Sequence, residues 1–125
     1  MGTILVVDDD EAILQVTTAM LKKKNHGVFL AQTAEAAKEI LAHSAVDLVL
    51  LDVVLPGLGG MELLMQIRNS RPDLPVIIMT GKVRTNIQPF KTLANQFGAI
   101  CILSKPFTAE ELYESVEGVL KNSCP

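Results

Sequence analysis

Four places in this chain put reactive side chains directly after an apolar run. They are Asp8-Asp9-Asp10 after "ILVV", Asp52 closing "LVLLD", Thr80-Gly81 after "VIIM" and Ser104-Lys105-Pro106 after "ICIL". Carboxylates can ligate a cation or attack an electrophile, a hydroxyl can hydrogen-bond an anion, and an ammonium can neutralise one. Asp52 is the costliest of the set, because a charge at the end of an apolar run is expensive when buried and unpaired. If the runs carrying Asp8-Asp9 and Asp52 are neighbours, three carboxylates converge, and like charges that close resist ionising together. A hard divalent cation removes the conflict, and an all-oxygen site with few carboxylates and room for water suits Mg²⁺.

The elements that must position these residues are legible in the hydrophobic pattern. The apolar runs Ile4 to Val7, Val28 to Ala31, Asp47 to Leu51, Val76 to Met79 and Ile100 to Leu103 are continuous rather than alternating. Strands covered on both faces of a parallel sheet read that way. Between the runs, Ile13, Val16 and Met20 fall on one helical face, as do Ala37, Ile40 and Leu41. Met61, Leu64 and Ile67 form a third face, and Leu112, Val116, Val119 and Leu120 a fourth. Thr33 with Glu35 and Ala36, and Thr108 with Glu111, mark helix starts, the second with capping-box spacing. The segment from Arg84 to Phe97 is less regular, with Pro89 expected near the first turn of its helix. The alternation predicts one α/β domain over residues 1–125, a doubly wound five-stranded parallel sheet with helices on both faces. In such sheets ligands bind at the carboxyl ends of the strands, the edge where the reactive residues fall.

Each piece alone has a plainer explanation. Acidic residues before a helix favour its positive end, and a lone lysine or threonine is usually solvated surface. Independent accidents, however, would scatter over both ends of the sheet. Composition narrows the partners: a chain of 125 residues with 49% hydrophobic and 20% charged residues, net charge −3 and pI near 5.3 lacks the broad basic surface that nucleic acid requires. No apolar run approaches a membrane span and no signal-peptide pattern opens the chain, so the expected location is the cytoplasm. Met1-Gly2 does not start a myristoylation motif, because Val6 stands where Ser or Thr is needed. Cys101 and Cys124 read as free thiols in a reducing compartment.

A dinucleotide site is disfavoured on the same residues. It needs glycines and helix amides in the first strand–helix turn, where this chain has three aspartates that would repel pyrophosphate. The later "GLGGME" has Glu62 in place of the third glycine and follows the wrong strand. A flavin site lacks a phosphate-cradling loop. Pro56-Gly57 and Gly59-Gly60 instead turn the chain out of one element and into the next.

The stretches "ILVVDDD", "DLVLLDVVLPGLGGMELL", "PVIIMTG" and "LSKPFTAEEL", in this order and spacing, resemble the CheY-like receiver domains of two-component response regulators over essentially the whole chain. The resemblance implies the strand order 2-1-3-4-5. It makes Asp52 the phosphoacceptor, and Asp8, Asp9, Asp52 and the Val54 backbone carbonyl the Mg²⁺ ligands. Thr80 would be the hydroxyl that bonds the phosphoryl group and Lys105 its ion-pair partner, with the backbone amides of Val53 and Gly81 as helpers. A cis Lys105-Pro106 bond would aim the lysine inward, and Asp10 is left as a helix-start charge. The implied function is a switch, not a turnover enzyme. Asp52 accepts a phosphoryl group from the phosphohistidine of a sensor histidine kinase or phosphotransfer protein, and conformation and partner binding shift.

Two departures from the family pattern stand out. The strand-5 position three residues before the lysine, usually aromatic and mobile in the family, is Ile102, which implies altered coupling to output. The stretch from Thr80 to Lys105 is a few residues longer than most, which implies a shifted helix there. The resemblance further implies that Val54 and Lys82 border the path of the hydrolytic water, and neither can accept its proton. The expectation is a long-lived phosphoryl group, with Val54→Asn plus Lys82→Glu speeding its loss ~10-fold for about 1.4 kcal/mol of barrier. Two other functions use the same residues: an aspartyl-phosphate phosphatase, which would carry a second Asp where Val54 stands, and a pseudo-receiver acting only by binding.

Overall fold

Each apolar run becomes a strand of one parallel sheet. The computed structural model describes residues 2–52, 60–80, 101–105 and 107–120. Its strands are β1 (Thr3–Val7), β2 (Gly27–Ala31), β3 (Leu48–Asp52), β4 (Val76–Thr80) and β5 (Cys101–Ser104). Its helices are α1 (Glu11–Lys23), α2 (Ala34–His43), α3 (Gly60–Ser70) and α4 (Ala109–Leu120). The sheet order is β2-β1-β3-β4-β5 with every described pair parallel, the order the family resemblance implied.

Continuous apolar runs have a direct cause here: successive side chains feed two different cores. Leu5, Val7, Val49, Leu51, Val76 and Ile78 pack with Ala34, Ala37 and Leu41 of α2 and Leu63, Leu64 and Ile67 of α3. Their strand neighbours Ile4, Val6, Leu48, Leu50, Ile77 and Met79 pack on the opposite face with Leu14 and Leu21 of α1 and Leu112, Val116 and Val119 of α4. Strand alternation thus leaves polar residues in β1, β3 and β4 only at their ends, at Thr3, Asp52 and Thr80.

Two sequence expectations are corrected. The run in β2 is as apolar as the others, yet Phe29 and Leu30 are exposed, because β2 is the edge strand and the helices cover only its inner side. In α1 the buried residues are Leu14, Thr17 and Leu21 rather than the stripe Ile13, Val16 and Met20. Val16 is 51% exposed, and Met20 is only partly buried against the core. Both sets have helical spacing, so period alone does not choose between adjacent stripes; the sheet takes the leucine side.

The helix starts lie at the carboxyl edge of the sheet and are capped as their sequences suggest. Asp10 Oδ1 accepts from the Ala12 amide at 2.9 Å, and Thr33 Oγ1 accepts from Ala36 at 3.1 Å. At α4 the capping box is reciprocal: the Thr108 amide donates to Glu111 Oε1 at 2.9 Å and the Glu111 amide to Thr108 Oγ1 at 3.1 Å. α1 ends with Asn25 at φ 66°, while the His26 amide donates to Leu21 and the Asn25 amide to Lys22, a Schellman closure. Arg71 donates to the carbonyls of Leu41 and Ser44, tying the end of α3 to the end of α2.

At the opposite edge of the sheet, the Thr3 amide donates to Asp47 Oδ2 at 2.8 Å and the Asp47 amide to the Thr3 carbonyl at 2.7 Å. This exchange fixes the β1–β3 register, which runs from Ile4↔Leu48 to Val7↔Leu51. One step further along the two strands stand Asp8 and Asp52.

Candidate functional site

Asp8 and Asp52 are buried at the carboxyl edge, with side chains only 1% and 8% exposed. Asp9, the next residue after Asp8, is exposed. One carboxylate oxygen from each of Asp8, Asp9 and Asp52 lies within 4.8 Å of the others, a spacing that can hold one metal ion. The adjacency of β1 and β3 is what brings them together, as the sequence required.

Lys105, just past β5, reaches across β4 into this cluster. Its ammonium donates to Asp8 Oδ2 and to Asp52 Oδ2, the latter at 3.3 Å. The other Asp8 oxygen accepts from the Asp10 amide at 2.9 Å, so both oxygens of the buried Asp8 are engaged. Burial pulls the Lys105 ammonium down, but the Asp8 hydrogen bond and the charges of Asp52 and Asp8 outweigh it, leaving its pKa above the ordinary lysine value. The lysine is therefore charged at neutral pH. The sequence reading assigned it to an incoming anion and missed this partnership with Asp8. The signal was available, since an ammonium sharing an edge with an acidic pair will pair with it until another anion arrives.

Among the described residues, three carboxylates and one ammonium give the site a formal charge of −2. A divalent cation balances that charge, and the all-oxygen donor set with one exposed member matches a hard ion that keeps part of its water shell. The residues present fit Mg²⁺.

Thr80 closes β4 opposite Ser104, on the same edge, and is described by its backbone. Ile102 pairs with Ile78 and packs partly buried against the α2–α3 core, three residues before Lys105. Asp10 caps α1, the minor role expected of it. Val53, Val54, Gly81, Lys82, Pro106, Cys124, the turn from Pro56 to Gly59 and the segment from Arg84 to Phe97 with Pro89 lie outside the described residues. So do the side chains of Met61 and Cys101. No described helix is long and apolar enough to cross a membrane.

The fold has close counterparts among solved structures. A CheY-like response regulator receiver domain protein from Methanospirillum hungatei superposes with a TM-score of 0.89 at 30% identity, over 98% of this chain and 95% of that one. NtrX from Brucella abortus superposes with a TM-score of 0.90 at 32% identity, over 97% of this chain and 27% of its own. In sequence, the response regulator MprA of a Mycobacterium species is 34% identical over 122 residues, which are 98% of this chain and 52% of MprA. The DNA-binding transcriptional regulator NtrC of Azospirillum brasilense is 38% identical over 124 residues, 99% of this chain and 25% of that protein. The chain thus spans about half the length of the first relatives it matches, and less of others. The family model for the response regulator receiver domain matches residues 4–117, which takes in both strand ends that carry the buried aspartates and the lysine between them: the chain belongs to the response regulator receiver domain family.

Proposed function

We propose that the chain works as a single receiver unit, residues 1–125, in which Asp52 accepts a phosphoryl group from a phosphohistidine. The observation that carries this reading is the placement of Asp52: buried, beside two further carboxylates and 3.3 Å from a partly buried ammonium. Asp8, Asp9 and Asp52 would hold Mg²⁺, with the Val54 carbonyl added by family resemblance. When bound, the ion supplies charge neutralisation between carboxylate and phosphoryl oxygens.

The protein's own part is positioning and charge. A carboxylate oxygen of Asp52 forms the new bond to phosphorus as the bond from phosphorus to the histidine nitrogen breaks, and the electron pair leaves with the imidazole. Lys105 already stands where negative charge arrives and can exchange a carboxylate partner for a phosphoryl oxygen. Thr80 at the end of β4 supplies the hydroxyl, and the Val53 and Gly81 amides further donors. The product is an acyl phosphate, a new charge that must redistribute the Lys105 contacts and so bias conformation. The partners are a sensor histidine kinase or phosphotransfer protein on one side and an output element on the other. The setting is the cytoplasm.

The test is intact-mass measurement after incubation with acetyl phosphate. One added phosphoryl group is expected with Mg²⁺, none with chelator and none in Asp52→Asn. Label retained by Asp52→Asn would move the acceptor elsewhere, and no label at all would favour a binding-only module. Steady turnover of small phosphomonoesters would favour a hydrolase.

A further inference from the structure

The turn between β1 and α1 carries two hydrogen bonds in series. The Asp10 amide donates to Asp8 Oδ1 at 2.9 Å, and the Ala12 amide donates to Asp10 Oδ1 at 2.9 Å. Backbone contacts fix both ends of the turn. The Asp8 amide donates to the Ala31 carbonyl of β2 at 3.0 Å, and the Asp10 carbonyl accepts the first helical bond, from the Leu14 amide at 3.1 Å. Leu14 is buried in the core between α1 and the sheet. Asp9 is the one residue between these two fixed points.

The Asp10 side chain stands apart from the cluster. The carboxylates that converge are those of Asp8, Asp9 and Asp52, while Asp10 Oδ1 is committed to α1. Among the described residues, two groups donate to the Asp8 carboxylate: the Asp10 amide and the Lys105 ammonium. They differ in kind. Lys105 is a long side chain that can exchange a carboxylate for a phosphoryl oxygen. The Asp10 amide is backbone, and it stays aimed as long as residue 10 keeps its extended N-cap geometry, φ −88° and ψ 110°. An alanine there offers the Ala12 amide no acceptor, which loosens that geometry and the donor to Asp8 with it.

We propose that Asp10 is a positioning residue for the cation site: by capping α1 it aims its own N–H at Asp8 and keeps Asp8 and Asp9 placed when Lys105 turns to other partners. The role rests on Asp8, Asp9 and Asp52 holding Mg²⁺, as proposed above. It uses the capping oxygen of Asp10 and not its charge, so a neutral capping side chain serves equally.

Mg²⁺ titration of the full chain, followed by backbone NMR, tests this. The unchanged chain should give saturable shifts at Asp8, Asp9 and Asp52. Asp10→Ala should bind roughly 10-fold more weakly than Asp10→Asn, the two being equally uncharged, because groups that hydrogen-bond a metal's ligands contribute on that scale. In the metal-free chain the amide of residue 10 should lose exchange protection in Asp10→Ala and keep it in Asp10→Asn. Thr33→Ala removes the corresponding cap from α2, outside the cluster, and should leave Mg²⁺ affinity unchanged. Equal affinities in Asp10→Ala and Asp10→Asn, or a matching loss in Thr33→Ala, overturn the positioning role while the Mg²⁺ site stands. No saturable shift in the unchanged chain overturns the Mg²⁺ site itself and this role with it.

Discussion

Lys105 Nζ lies 3.3 Å from Asp52 Oδ2 while it also donates to Asp8, so one ammonium from the end of β5 closes two carboxylates from β3 and β1. Every group in this triangle is at most 13% exposed. Removing the ammonium therefore takes away a counter-charge that two carboxylates share.

The first prediction follows from that triangle. Lys105→Met should lower stability by about 3 kcal/mol in chelator, the usual cost of breaking a buried ion pair by removing one partner. Because a divalent cation can replace the missing ammonium as counter-charge, millimolar Mg²⁺ should restore more stability to Lys105→Met than it adds to the unchanged chain. Urea midpoints with and without Mg²⁺ measure both. Equal Mg²⁺ effects in the two forms would show that the ion does not take the ammonium's place as counter-charge.

His26 gives a pH dependence remote from the site. It is buried, and its Nδ1 accepts from the Gly2 amide at 3.1 Å, a bond that protonation would forfeit. Burial holds its pKa below the ordinary 6.5, with Glu117 on α4 opposing only in part. The unfolded chain therefore binds the proton more readily. Stability from neutral His26 is complete above 6.5 and is lost as pH falls through the lowered folded value. His26→Gln keeps an acceptor and removes the titration. Its urea midpoint should change less than that of the unchanged chain between pH 6.5 and the folded pKa.

Thr17 presents a simpler case. Its hydroxyl is buried on α1, with no hydrogen-bond partner among the described residues. Thr17→Val keeps the shape and removes the orphaned donor, so it should stabilise by about 1 kcal/mol. A thermal melt settles the sign, and a destabilised variant would mean that the hydroxyl is satisfied in solution.

Asn25 tests the closure of α1. At φ 66° a Cβ without a local hydrogen-bonding group is strained, so Asn25→Ala should cost about 1 kcal/mol, whereas Asn25→Gly should be neutral or better. Comparable losses in both variants would assign the role to the asparagine side chain rather than to the backbone angle.

The sheet was legible because its central strands are covered twice, which writes burial into consecutive residues. The helix starts were legible at Thr33 and Thr108 because capping is a local code. What the sequence could not choose was which of two adjacent apolar stripes on α1 faces the sheet, since the answer depends on where α4 lies. Nor could it separate the exposed β2 from its neighbours, because an edge is a property of order in space, not of composition. At the site, the aspartates and the lysine were identifiable by type and by position after strands. The Asp8–Lys105 pairing was signalled by their shared edge, but not its reach, because that depends on a side chain spanning the width of β4.

The Asp47–Thr3 exchange at the far edge of the sheet has a consequence for when the site exists at all. Lys105 and Asp8 are 97 residues apart in the chain, and Lys105 and Asp52 are 53 apart. No local segment brings any two of them together; only strands aligned in the right register do. A slip of one residue between β1 and β3 would exchange the two cores and carry Asp8 away from Asp52 in the same motion. A half-assembled chain therefore lacks the Asp8–Asp52–Lys105 cluster, and the presence of that cluster reports the correct register.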